Sequence, residues 1–182
     1  MASRRGDGSS EVWQRLASED DAEDAPWGNL LLPEPERMLE LAFSPLAASS
    51  LALGIETIYE GYLVHYGHSR LFVTDEPNLA LLLGDRLYAR GLVHVSRFGD
   101  VAAVADLATL LELCARLRAE SRQGDGALWA AGIASLGSGG IRAEGETFLR
   151  SGDSEPLLCL AQDRAGASAV ERALASHAHR FP

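Results

Sequence analysis

Two histidines and two glutamates share one apolar segment in the first half of the chain. His65 and His68 are three residues apart, which places both imidazoles on the same face of a helix. Glu56 and Glu60 precede them by one to two turns, and imidazole and carboxylate groups are common metal ligands. The pattern therefore predicts a candidate metal site and an enzyme that uses His65, His68 and Glu60. In the alternative interpretation, His65 packs on the core and His68 caps the helix or faces water.

A second charged group lies on the next helical segment. Asp85 and Arg86 are adjacent, and Arg90 follows one turn later. Acid and base at this spacing form an ion pair within one helix or a polar contact between subunits. For these residues, an ion pair or subunit contact is favoured over a role in binding a ligand.

Apolar and aromatic side chains surround these charges. Leu81, Leu82 and Leu83 make their helix apolar over most of its circumference, which indicates burial in a core or against a partner. The four tyrosines, Tyr59, Tyr62, Tyr66 and Tyr88, supply aromatic surface for a pocket, although a place in the core or an interface is the favoured interpretation.

Other kinds of site lack their key residues. The chain has no lysine, so all 16 of its Lys and Arg residues are arginine, and lysine Schiff bases and Walker-type phosphate sites are excluded. Residues 137–140 are rich in glycine but have no preceding strand and no following Gly-Lys-Ser, so they are interpreted as a flexible helix end. No Gly-x-Ser-x-Gly elbow supports a hydrolase.

The bulk composition fits one acidic globular domain. The chain has 182 residues, 47% of them hydrophobic, enough for a single core. Its formal net charge is −10. Nucleic acid and anionic membranes attract basic surfaces, so no binding to either is expected.

The N-terminal residues differ from the rest. Residues 1–28 are polar and contain a run of acids at 19–24, so we predict a mostly disordered acidic tail there and a single α-helical domain over 29–182. Trp13 and Leu16 are expected to form at most one short docking turn. The tail lacks the apolar core of a secretory signal, and no apolar run approaches the roughly 20 residues that span a bilayer. Cys114 and Cys159 are predicted to be buried free thiols, and the expected location is the cytoplasm.

Helical periodicity predicts an all-α fold. Leu51, Ile55, Ile58, Tyr62 and His65 recur at helical spacing, and no alternating strand pattern is present. Predicted helical segments cover 36–43, 46–66, 78–97, 101–120, 127–136, 144–150, 156–162 and 168–177. Residues 98–100 are predicted to join two of these helices in a tight antiparallel hairpin.

Glycines interrupt the second of these segments. Gly54, Gly61 and Gly67 weaken a helix by about 1 kcal/mol each. Because glycine has no side chain, their spacing is also expected to let another helix approach closely.

Residues 55–65, 78–89 and 126–131 carry a family resemblance: they are similar to segments of the trans-type polyprenyl diphosphate synthases, and more closely of their non-catalytic small subunits. Residues 55–65 (IETIYEGYLVH) resemble the helix that leads into the family's first aspartate-rich motif. Residues 78–89 (NLALLLGDRLYA) resemble its "LLGDYLLA" helix. Residues 126–131 (GALWAA), followed by Leu136 and Gly137, resemble a later helix. The resemblance covers a little under half of the chain, in the family's order.

The chain departs from the family where that family does its chemistry. The first aspartate-rich motif would fall on Tyr66, Gly67 and Arg70, none of which is acidic, and nothing after residue 140 matches the second motif. Gly124 and Asp125 stand at the family's Lys-Thr positions. Loss of a diphosphate needs two carboxylate clusters that hold Mg²⁺ against the growing charge. A complete site of this kind cannot be assembled from this chain alone.

The resemblance therefore implies a helical bundle like a truncated isoprenoid synthase fold and a non-catalytic accessory subunit or pseudoenzyme. Mg²⁺ would be present only through a catalytic partner, and no catalytic residue is assigned to this chain. The expected partner is a catalytic polyprenyl synthase subunit or a second copy in a homodimer, with contact to isoprenoid substrate or product. The alternative is a stand-alone helical protein that binds an apolar or isoprenoid ligand. The interface or pocket candidates are Tyr62, Tyr66, Leu83, Asp85, Arg86, Leu87 and Tyr88.

Overall fold

The structure is a computed structural model of the chain, and it describes residues 7–18, 27–98 and 101–181. These residues form eight α-helices: α1 (Asp7–Ser18), α2 (Ala52–Tyr66), α3 (Pro77–Phe98), α4 (Val101–Ala119), α5 (Asp125–Ala134), α6 (Arg142–Ser151), α7 (Glu155–Ala165) and α8 (Ala167–Ala178). Short 3₁₀ turns occur between α1 and α2, at Gly28–Leu30, Glu34–Glu36, Ser44–Leu46 and Ser49–Leu51.

The prediction of an all-α fold is confirmed. Within the described ranges no β-strand forms, and the only β-type pairing is an isolated antiparallel bridge between Leu31 and Phe72. None of the described helices has both the length and the apolar character needed to cross a membrane. The predicted turn at 98–100 lies partly outside the described residues.

The helix predicted over 36–43 is wrong. Residues 37–42 have no helical structure and lie between two 3₁₀ turns. Their backbone N–H groups bond to distant partners: that of Met38 donates to the carbonyl of Arg70, and that of Ala42 to the Glu56 carboxylate. These tertiary bonds replace the local ones that a helix would need.

Part of the predicted N-terminal tail lies within the described residues. Residues 7–18 form helix α1, and Trp13 and Leu16 are almost completely buried. They pack into a small hydrophobic cluster with Leu71, Leu83 and Leu87. The acidic run at 19–24 dominates the composition of this region, but two large apolar side chains dock the helix that precedes it.

Helices α2 and α3 cross antiparallel at very short range. A Cβ atom added to Gly61 would lie 2.8 Å from the carbonyl oxygen of Gly84, and one added to Gly54 would lie 2.9 Å from that of Gly91. The expectation that Gly54 and Gly61 let another helix approach is confirmed. A Cβ atom added to Gly67, after the end of α2, would instead meet the Phe181 ring and the carbonyl oxygen of Arg180.

The main core is built around α5, which is buried from Asp125 to Ile133. Helices α4, α7 and α8 pack around it, and Trp129 stacks with Phe43 from the segment before α2. Cys114 is buried in this core as predicted. Cys159 is exposed, contrary to prediction, because α7 turns Leu157 and Ala161 inward and Cys159 lies on the opposite face.

Candidate functional site

The two glutamates of α2 form a buried ion cluster with Arg70. Nη1 of Arg70 lies 2.7 Å from Oε2 of Glu56, and its Nε lies 2.8 Å from Oε2 of Glu60. All three side chains are at most 1% exposed. The guanidinium also lies over the rings of Trp13 and Tyr59, with its Cζ 4.4 and 4.9 Å from their centroids.

The remaining oxygens of these carboxylates accept backbone hydrogen bonds. Oε1 of Glu56 accepts from the N–H groups of Ala42 and Ser44 at 3.0 and 2.9 Å. Oε1 of Glu60 accepts from the N–H groups of Arg70 and Leu71 at 2.7 and 3.0 Å. The two glutamates therefore attach the segments at 42–44 and 70–71 to α2.

Arg70 stays charged inside this cluster. Burial alone lowers the pKa of its guanidinium, but the charges of Glu56 and Glu60 and their hydrogen bonds outweigh burial, so the pKa is raised. With their oxygens occupied by Arg70 and backbone N–H groups, the glutamates act as structural anions in this arrangement.

The two histidines point to different surroundings. His65 donates from Nε2 to the carbonyl of Leu81 at 3.1 Å and lies 3.6 Å from Asp85. His68 is exposed, and its backbone N–H bonds to the carbonyl of Arg180. Among the described residues, no three His, Cys, Asp or Glu side chains are placed to hold a metal ion together.

A second polar network centres on Asp125 at the start of α5. Its Oδ2 accepts from the hydroxyl of Tyr62 at 2.6 Å and from Nη2 of Arg118 at 2.5 Å. Nε2 of His177 lies 3.4 Å from the same oxygen, and Nδ1 of His177 lies 2.9 Å from the hydroxyl of Tyr59. The network joins α2, α4, α5 and α8.

The protonation states in this network follow from burial and hydrogen bonding. Burial raises the pKa of Asp125, but hydrogen bonds from His177, Tyr62 and Arg118 outweigh it and bring the pKa to about 2. Burial raises the pKa of both Tyr59 and Tyr62 far above the usual value, so both phenols remain protonated. The hydrogen bond between the Tyr59 hydroxyl and Nδ1 of His177 holds the imidazole with Nε2 toward Asp125.

A cavity of about 490 Å³ lies beside this network. Arg118, Asp125 and His177 form its polar wall, and Leu158 and Leu174 belong to its apolar wall. A cavity of this size is within the range of small-molecule binding sites, about 300–1,000 Å³. It combines one apolar surface with a few fixed polar groups.

Two of the predicted aromatic candidates belong to this region. Tyr62 is buried in the Asp125 network, and Tyr66, which is 39% exposed, lines the cavity. Tyr88 lies elsewhere, half-buried between α2 and α3, with its ring edge-on to that of His65 at 5.1 Å.

The other candidates are on α3. Leu83 and Leu87 are fully buried in the cluster with Trp13 and are covered by the chain itself. Asp85 is exposed, and Arg86 is half-buried with its guanidinium 6.0 Å from the Trp27 ring centroid. Leu83 and Leu87 therefore face inward, whereas Asp85 faces solvent.

No pattern in the sequence joins Arg118, Asp125 and His177. Asp125 begins a helix, where an acid is common, and the other two residues are basic groups on separate helices. Only the packing of α8 against α5 brings His177 to Asp125. An acid predicted at a buried helix start is the one signal that could have identified this position.

No family model matches the chain, and neither a curated protein nor a solved structure matches it.

Proposed function

We propose that the chain is a non-catalytic subunit of a cytoplasmic polyprenyl diphosphate synthase and works by pairing with a catalytic subunit. The proposal depends on the resemblance of residues 55–65, 78–89 and 126–131 to that family. The first two of these segments belong to α2 and α3, which pack directly on each other.

The observation that carries the proposal is the pairing of Arg70 with Glu56 and Glu60. The resemblance puts the first aspartate-rich motif at Tyr66, Gly67 and Arg70, where a catalytic subunit holds Mg²⁺. Here the third of these positions is a buried cation, and it forms ion pairs with both acids of the preceding helix. An accessory subunit keeps its helices and takes no part in metal binding, which is the pattern these residues favour.

The outward face of α3 is the surface proposed for the partner. Leu82 and Val93 are 56% and 51% exposed. They are eleven residues apart, close to three helical turns, so they lie on the same side of the helix. Exposed apolar side chains grouped on one face are typical of protein contacts. This surface differs from the one formed by Leu83 and Leu87, which are buried in the cluster with Trp13 and Leu71.

The first experiment is purification of the tagged chain from its native host, followed by mass spectrometry. We expect a catalytic prenyl synthase in near-equal amount. The purified chain alone, with Mg²⁺, isopentenyl diphosphate and an allylic diphosphate, should form no product, while the reconstituted pair should form one. Prenyl transfer by the chain alone would refute the proposal.

A pair of variants tests the surface. Leu82→Asp combined with Val93→Asp should abolish recovery of the catalytic subunit, because two charges would be buried in the contact. Leu39→Asp is the control, since Leu39 is 48% exposed but lies outside α3. Circular dichroism should show the same helix content in all proteins. Full recovery of the partner by the α3 variant would place the contact elsewhere.

A second candidate function is favoured by the cavity beside Asp125: a stand-alone protein that holds an apolar or isoprenoid ligand. The cavity volume of about 490 Å³ is sufficient for a small organic molecule. Organic extraction of the purified chain and mass spectrometry of the extract test this function. A monomer with a bound lipid would support it, and a chain recovered without small molecules would weigh against it.

A further inference from the structure

We propose that the cavity beside Asp125 binds an uncharged amphiphile, an alcohol, ketone or amide attached to an apolar body. This inference rests on the second candidate function and names the ligand class for it. It is independent of the contact proposed for α3.

The charge balance of the polar wall selects an uncharged ligand. Arg118 and Asp125 form an ion pair at 2.5 Å, with side chains 18% and 5% exposed. The hydrogen bonds that Asp125 accepts keep it ionised at neutral pH, so the pair has no net charge. His177 completes the wall, with Nε2 3.4 Å from Oδ2 of Asp125 and Nδ1 2.9 Å from the Tyr59 hydroxyl. A charged ligand would find no uncompensated counter-charge in this ion pair, and burying its charge would be costly.

Arg118 keeps N–H donors that remain available to the ligand. Its Nε donates to the Tyr62 hydroxyl at 3.0 Å and its Nη2 to Asp125, whereas Nη1 has no hydrogen-bond partner among the described residues. The guanidinium is fixed against the ring of Phe181, with 4.3 Å between Cζ and the ring centroid. A fixed donor beside a neutralised charge suits a hydroxyl or carbonyl oxygen, which needs a hydrogen bond and no counter-ion.

The apolar wall accommodates the body of the ligand. Leu158 comes from α7, Leu174 and Ala178 come from α8, and the rings of Tyr66 and Phe181 complete this side. Apolar surface removed from water contributes about 25 cal/mol per Å², so this wall supplies affinity and the Arg118 donor supplies orientation. Together they define a molecule with one polar end.

Three probes with the same apolar body test the charge argument: 1-decanol, decanoate and decylammonium. Binding to the full chain at pH 7 is measured by titration calorimetry, and amide shifts in ¹H–¹⁵N spectra locate the site. We expect saturable binding of 1-decanol, with shifts at Gly124 and Gly126, which line the cavity. Both charged probes should bind at least about tenfold more weakly, because their heads lose hydration without gaining a counter-ion.

Two filling variants test the location. Ala178→Trp places a large ring in the cavity, and Ser154→Trp fills it from the start of α7. Each should weaken 1-decanol binding at least about tenfold. Ala175→Trp is the matched control, because Ala175 is exposed on the same helix and does not line the cavity. It should bind like the parent. Using two filling variants keeps the test valid if one of them fails to fold.

The outcomes separate the ligand class from the binding function. Tighter binding of decanoate or decylammonium in the cavity would overturn the inference and leave a ligand-binding function intact. Binding that persists in both filling variants would overturn the assigned site. Absence of binding for all three probes would overturn the inference and, if extraction of the purified chain also yields no small molecule, the second candidate function with it.

Discussion

Gly54 on α2 and Gly91 on α3 are in backbone contact: a Cβ atom on Gly91 would lie 2.8 Å from the carbonyl oxygen of Gly54. Gly61 and Gly84 repeat this relationship seven residues along each helix, also at 2.8 Å. A spacing of seven brings both glycines of a helix to nearly the same face. Two such pairs hold the helices at a distance that side chains would prevent.

The first prediction concerns Gly61→Ala. Alanine is the better helix former by about 1 kcal/mol, but its methyl group would meet the backbone of α3. We expect the free energy of unfolding to fall by about 1–3 kcal/mol, as for other overpacked contacts. Urea denaturation followed by circular dichroism measures the change.

Gly132→Ala is the matched control for this prediction. Gly132 is also in a buried helix, but the nearest atoms to its added Cβ belong to the movable side chain of Leu110, at 3.1 Å. Its unfolding free energy should remain within about 1 kcal/mol of the parent. Equal losses in both variants would mean that burial alone, and not the contact between α2 and α3, sets the cost.

The second prediction concerns Arg70→Met. The substitution leaves Glu56 and Glu60 buried without their cation, which costs about 3–5 kcal/mol. Urea denaturation should show this loss. Arg116→Met is the control, because Arg116 pairs with Glu146 on the surface and water replaces that interaction. A parent-like midpoint for Arg70→Met would contradict the structural role of the cluster.

The helices of this fold are predictable from sequence because their apolar residues repeat at helical spacing. The bounds of α3 and α4 differ from the prediction by no more than one residue at either end. Gly54 and Gly61 also indicated a close helix contact, although the sequence did not identify α3 as the partner. These features depend on residues near one another in the chain.

The buried polar groups were not predictable in the same way. The sequence predicts Glu56 and Glu60 as possible metal ligands. Their actual partner is Arg70, which lies in the segment between two helices and so outside the helical pattern that contains the glutamates. Asp125 and His177 are 52 positions apart and meet only after α8 has packed on α5. Local periodicity contains no information about such contacts.

The third prediction concerns Trp13→Ala. Trp13 is 1% exposed and lies over the guanidinium of Arg70, so its loss removes one of the two buried apolar anchors of α1. We expect α1 to detach, which would make trypsin cut after Arg15 many times faster. Glu11→Ala is the control, because Glu11 is exposed on the same helix. Equal cleavage rates in the parent and both variants would show that Trp13 does not hold α1 in place.

The fourth prediction concerns the pH dependence that Asp125 gives to stability. Its pKa is about 2 in the folded chain against an ordinary value of 3.8, so the folded state favours the ionised form. The resulting stabilisation, about 2 kcal/mol, is complete above pH 4 and disappears as the pH falls through 2.

Asp125→Asn removes this titration together with the charge that neutralises Arg118. The difference in unfolding free energy between parent and variant should therefore be largest above pH 4 and shrink by about 2 kcal/mol on reaching pH 2. Urea denaturation at several pH values measures it, with Tyr62→Phe as a control that keeps the carboxylate and loses one hydrogen bond to it. A difference that stays constant from pH 5 to pH 2 would mean that the pKa of Asp125 is not lowered in the folded chain.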